Sequence, residues 1–158
     1  GVRFPEESIQ RFRSWTLPLV AAVNGTAITG GLELALACDF RIGSERARFA
    51  DSHARFGFAP AWGRSARLPQ VVGQGWARQI SLTGLPVEAS TALRIGLLNE
   101  VVEHGRLLDR AVELAQAIAR HDREAVHTIR ALYDIARDDS GGEAIAAERR
   151  LLADRSAR

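Results

Sequence analysis

Five apolar residues in a row, Leu19-Val20-Ala21-Ala22-Val23, stand between Pro18 and Asn24-Gly25. A run of that length, bounded by turn residues, predicts a strand buried on both faces. A helix is predicted over residues 31–38, then a short strand near Phe40-Arg41-Ile42 and another over 47–50. Helices follow over 64–72, 74–82 and 87–95, and Leu98 to Val102 reads as a strand. A short helix is predicted near the start, over 6–14. Beyond residue 100 the pattern becomes helical throughout. Leu107, Leu108, Ala111, Leu114, Ala115 and Ile118 recur at helical spacing, and so do Val126, Ile129, Leu132, Tyr133 and Ala136. Gly141-Gly142 breaks the pattern, and residues 143–154 read as a last amphipathic helix. No repeat or low-complexity linker interrupts the chain. Alternating strands and helices predict an α/β layer, with a helical tail packed on it or on a neighbouring subunit.

Composition narrows the function classes. At 158 residues the chain has the size of about one domain and can bury a sizeable core. Apolar residues make up 46% and charged residues 25%, an ordinary soluble balance. No apolar run approaches the ~18 residues that span a bilayer, and no signal-peptide pattern opens the chain. A soluble, cytoplasmic protein is therefore expected, with no membrane partner. All 21 basic residues are arginine; lysine and methionine are absent. With no initiator methionine, residue 1 is read as not being the natural start. Schiff-base lysine chemistry and lysine-dependent phosphate loops are excluded. The net charge is only +2, with arginines scattered among acids, which argues against a nucleic-acid surface. Cys38 has no partner for an internal disulfide and lies in an apolar helical pattern, so a buried, inert thiol is expected. His104, His121 and His127 lack metal-ligand spacing with acids or Cys38, and no metal site is predicted. Asp39, between helix and strand, reads as structural.

The candidate chemistry gathers around Gly30-Gly31-Leu32-Glu33. A helix that starts after two glycines exposes unpaired N–H groups, which can hold an anion or a developing oxyanion. Glycine also lets a ligand approach the backbone closely. Glu33, flanked by Leu32 and Leu34, is placed to act as a partly desolvated base. The plain alternative is that Glu suits the first turn of any helix. If residues 49–53 are extended, Asp51 and His53 face the same side. His53 reads equally as a loop-bonding histidine, and Asp51 as a turn residue. Trp62 beside Gly63 suits either a pocket wall or the core. A dinucleotide-binding unit fails on spacing, because Gly25, Gly30 and Gly31 do not form GxGxxG.

The stretch from Leu19 to Asp39, LVAAVNGTAITGGLELALACD, strongly resembles the signature of the enoyl-CoA hydratase/isomerase family, the crotonases. Later features match in order: Phe49-Ala-Asp-Ser-His-Ala-Arg-Phe-Gly57, Pro60-Ala-Trp-Gly63, Arg67-Leu-Pro-Gln-Val-Val-Gly73, Leu82-Thr-Gly84, and Ala92 through Val102. The likeness runs from about residue 16 to the C-terminus. It implies a spiral core of repeated ββα turns over residues 1–102, of which this would be the C-terminal part. It also implies a helical trimerisation region over 103–158. It implies an acyl-CoA enzyme of fatty acid metabolism, a homotrimer or hexamer, with no cofactor beyond the coenzyme A that the substrate carries. One of the family's two oxyanion-hole amides matches Gly30, and the other lies in a segment ahead of this chain. The first catalytic glutamate matches Glu33. The second, which hydratases use alongside it, falls at His53. Ala27, Thr29, Gly31, Asp51, Trp62 and Gly63 are expected to bind substrate. Hydration of 2-enoyl-CoA is the leading expectation. Double-bond isomerisation, another enolate reaction, or a non-catalytic binding or assembly protein are the alternatives.

Overall fold

The computed structural model describes residues 12, 14–57, 60 and 62–138. The strands among the described residues are β1 (Val20–Val23), β2 (Thr26–Ile28), β3 (Phe40–Ser44), β4 (Arg48–Ala50), β5 (Val87–Glu88) and β6 (Glu100–Val102). The α-helices among the described residues are α1 (Gly30–Ala37), α2 (Arg64–Thr83), α3 (Ala89–Arg94), α4 (Leu107–Ala119) and α5 (Arg123–Asp138). The strands form two three-stranded sheets, ordered β1-β3-β6 and β2-β4-β5. All pairs are parallel except β4 with β5.

The chain alternates between the sheets. β1 enters the first, β2 the second, and α1 returns the chain so that β3 pairs with β1 from Val20↔Phe40 and β4 pairs with β2 from Thr26↔Arg48. Each turn is thus strand, strand, helix, and successive turns stack in parallel. Between the sheets and helices lies one core, with Leu32 and Leu36 of α1, Phe49 of β4 and Leu68 and Ile80 of α2 among its buried members.

Several sequence expectations change in detail. β1 is only partly buried, with Ala22 exposed, because it is the edge of its sheet. The fully covered strand is the central one, β3, where Ile42, Gly43 and Ser44 are buried. β2 was not expected at all. Residues 87–95 do not form one helix: Val87 and Glu88 pair with β4, and the helix starts at Ala89. The chain is not extended to residue 53, since β4 ends at Ala50 and a 3₁₀ turn covers Ala54–Phe56. The expected break between helices at residue 73 is present inside α2, where Gly73 has φ 77° and ψ 161°. The helices expected over 6–14 and 143–154, and the break at Gly141-Gly142, lie almost wholly or wholly outside the described residues.

Two compact units are present. Among the described residues, Leu19–Ala115 belongs to the first, and Thr16–Pro18 and Gln116–Asp138 belong to the second. Leu107 of α4 is buried, and Arg110 of α4 bonds both oxygens of Glu100 on β6 at 2.8 Å, which ties the start of that helix to the strands.

Candidate active site

α1 begins at a strained residue. Thr29 has φ 54° and ψ −105°, a backbone that a β-branched residue avoids. Three hydrogen bonds keep it there. Its N–H donates to Ala50 O at 3.0 Å, its Oγ1 lies 2.5 Å from Ser52 Oγ, and Ser52 N–H donates to Oγ1 at 3.1 Å. The loop after β4 is thereby clamped to the start of α1. With its hydroxyl engaged by Ser52, Thr29 makes no side-chain cap on the helix. The first amides of α1, those of Gly30 and Gly31, belong to the set that a helix cannot satisfy internally. They form the electropositive end of the helix dipole.

Glu33 sits one turn in and is buried, only 4% exposed. Its Oε1 accepts the Trp62 N–H at 3.1 Å. The carboxylate therefore points inward, toward the segment leading into α2. The Trp62 ring lies against Gly30: a Cβ built there would sit 3.2 Å from Trp62 Cζ3. Gly30 thus accommodates this close approach, where a Cβ would need the ring to give by a few tenths of an ångström, whereas a Cβ on Gly31 would meet Ala27 at an ordinary 3.6 Å. Trp62 gives a backbone donor to Glu33 and a ring wall to Gly30, so it is both anchor and lining. Gly63, at φ 83°, makes the left-handed turn into α2.

His53 follows the clamped Ser52. Its Nδ1 lies 2.6 Å from Asp51 Oδ1, and its backbone N–H donates to the same oxygen at 3.1 Å. Asp51 Oδ2 is ion-paired with Arg64, and Arg64 Nη1 also donates to Ser81 Oγ. Asp51 and Arg64 are both buried.

Gly30, Glu33 and Trp62 come together as expected, and the Thr29–Ser52 clamp brings the His53 segment to the same helix end. Three expectations are corrected. Asp51 is not presented to a substrate, because it is sealed from solvent with one oxygen on His53 and the other on Arg64. Ala27 belongs to the apolar core. The Thr29 hydroxyl is taken by Ser52. Sequence reasoning missed Arg64, the buried cation that holds Asp51. It read as one of many scattered arginines, and its only signal was its place at the head of α2 after the Trp-Gly turn. Among the described residues no group of three or more His, Cys, Asp or Glu is arranged to hold a metal ion. Cys38 is half-buried, and burial pushes its thiol up to about 11, against opposing Arg41. It stays protonated at neutral pH and is inert.

The family model for Enoyl-CoA hydratase/isomerase matches residues 5–158. Among curated relatives, a probable peroxisomal enoyl-CoA hydratase 1 of Arabidopsis thaliana is 42% identical over 130 residues, covering 82% of this chain and 48% of the relative. A short-chain-enoyl-CoA hydratase of Clostridium acetobutylicum is 44% identical over 109 residues, covering 69% of this chain and 42% of the relative. The chain spans about half the length of the curated relatives it matches. Among solved structures, an enoyl-CoA hydratase from Mycobacterium avium superposes with a TM-score of 0.78 at 48% identity, over 89% of this chain and 66% of that one. Pseudomonas aeruginosa DspI superposes with a TM-score of 0.89 at 39% identity, over 94% of this chain and 61% of that one.

Proposed function

The chain belongs to the enoyl-CoA hydratase/isomerase family, and from that membership we propose that it acts as an enoyl-CoA hydratase, adding water reversibly across the double bond of a 2-enoyl-CoA thioester. In this reading the Gly30 N–H donates to the thioester oxygen as enolate charge develops there. Glu33 moves a proton at the α or β carbon. His53 is the second acid–base group. Coenzyme A enters as part of the substrate, and no separate cofactor takes part. The same reading makes the protein a homotrimer or hexamer of fatty acid metabolism in the cytoplasm, with no nucleic-acid or membrane partner. No described helix is long and apolar enough to cross a membrane.

One observation carries this reading. Glu33 is buried at the uncapped start of α1, with one carboxylate oxygen held by the Trp62 amide beside Gly30. A carboxylate merely favouring a first turn has no need to be buried. The test is turnover of a short 2-enoyl-CoA by Glu33→Gln. The expected loss in kcat is about 10²–10⁴-fold, the usual scale of a positioned acid or base. Unchanged turnover would remove Glu33 from the mechanism.

A second reading, double-bond isomerisation, draws on His53. An imidazole held by Asp51 stands where hydratases carry a carboxylate, and this suits moving one proton between carbons better than sharing water between two acids. Product analysis separates the two: a 3-hydroxyacyl-CoA supports hydration, and a shifted double bond supports isomerisation. Binding of the thioester without turnover would support a non-catalytic member instead.

A further inference from the structure

The polar cluster behind His53 has an order to it. Asp51 Oδ1 receives the His53 ring and the His53 backbone amide. Its Oδ2 faces the Arg64 guanidinium, which reaches on to Ser81. Arg64 stands at the start of α2, and Ser81 near its end. Gly84, just past α2 at φ +64°, closes on the Asp51 carbonyl oxygen so tightly that a Cβ there would lie 3.1 Å away. Asp51 is thus enclosed by both ends of one helix, with 0% of its surface exposed. His53 is the member of the chain at the edge of the cluster, with 11% of its side chain exposed.

Donor chemistry fixes what each group does. A guanidinium is always a cation and never an acceptor, so the Arg64 ion pair at Oδ2 keeps Asp51 ionised. An ionised carboxylate has no donor, so the short contact at Oδ1 requires the hydrogen to be on His53 Nδ1. The neutral ring then carries its lone pair on Nε2. We propose that Asp51, fixed by Arg64, is a positioning residue that holds His53 in the tautomer protonated on Nδ1 and presents Nε2 as the proton-exchanging nitrogen of the site. This rests on the acyl-CoA reading for its function, though the tautomer itself does not. The Thr29–Ser52 clamp then sets the ring's place relative to the start of α1.

Asp51→Asn tests the assignment sharply. With the amide oxygen kept toward the Arg64 cation, the amide NH₂ faces Nδ1, at the cost of the His53 backbone N–H that Oδ1 accepts in the wild type. Nδ1 must then accept, and the hydrogen moves to Nε2. In ¹⁵N-histidine spectra of the intact protein with a neutral ring, the wild type is expected to show a protonated Nδ1 and a bare Nε2 for His53, assigned by loss of the signal in His53→Gln. Asp51→Asn is expected to invert that pattern. It should also lower kcat on a short 2-enoyl-CoA by about 10²-fold, with KM within about 3-fold. Adding Asp51→Asn to His53→Ala should cost nothing further, because Asp51 acts through the ring. A wild-type ring protonated on Nε2 overturns the proposal. So does an Asp51→Asn enzyme of unchanged kcat, or a full additional loss in the double variant. If Asp51→Asn does not fold, the wild-type tautomer decides alone. Failure of the hydratase reading would show separately, as unchanged turnover in Glu33→Gln with the tautomer as assigned.

Discussion

Thr29 combines a backbone at φ 54° with a hydroxyl that serves two partners on Ser52. A residue in so sparsely populated a region costs of order 1–3 kcal/mol and persists only where its surroundings over-determine it. Here those bonds also hold the His53 loop on the helix start, so the strain is coupled to the site. Thr29→Val keeps the shape and removes the hydroxyl, leaving the Ser52 amide and hydroxyl without their partner. A loss of about 1–3 kcal/mol is expected in urea unfolding, together with reduced turnover as the loop loosens. Unchanged stability would show that the clamp does not hold the strained backbone. The clamp was not legible in the sequence, where Thr29 was expected to bind substrate and Ser52 carried no expectation. Glu33 and Gly30 were legible, because a lone acid just after a glycine pair stands out against an otherwise apolar helix. The pairing of Asp51 with Arg64 was not: an ion pair between a loop and a helix 13 positions on in the chain leaves no periodic trace.

At the scale of elements, legibility followed length and burial. α4 and α5 carry several turns of apolar spacing, and both lie within three residues of where that spacing put them. β2 has three residues, of which only Ala27 is buried, so it shows neither alternation nor an apolar run. Residues 87–88 are strand because β4 offers them a partner, a tertiary fact that local helix preference cannot anticipate. The central strand makes the strongest demand on one residue. Gly43 of β3 pairs opposite Val101 of β6, and a Cβ there would lie 2.6 Å from Leu98 Cδ1 and 3.1 Å from Ala47 Cβ. Leu98 is itself buried in the core and has little room to move. Gly43→Ala gains some stability through the unfolded chain, but overpacking a filled core costs more. A net loss of about 1–3 kcal/mol is expected by chemical denaturation. An equally stable variant would mean that the β3–β6 seam is looser than its distances indicate.

For the whole molecule, the proposed assembly makes a demand on α5. Ile129 and Tyr133 are one helical turn apart and therefore share a face. Both are exposed in the single chain, Tyr133 at 76%. Burying such side chains is worth about 1.5–3 kcal/mol each, relative to leaving them in water. A helix that repeats apolar residues so regularly while exposing Ile129 and Tyr133 on one face is suited to closing against a neighbouring copy. If the proposed homotrimer forms through this helix, light scattering should give three times the 17.2 kDa subunit mass, or six times for a hexamer. Ile129→Glu should then shift the protein toward monomer, because an interface that buries residue 129 would have to desolvate a carboxylate in place of an apolar side chain. The circular dichroism of the subunit should be retained, since residue 129 is already open to water within one chain. A wild-type protein that is monomeric at working concentration, or an Ile129→Glu variant that still assembles, would remove α5 from the interface. Activity measured alongside would show whether the site at the start of α1 needs the assembly or works within a single chain.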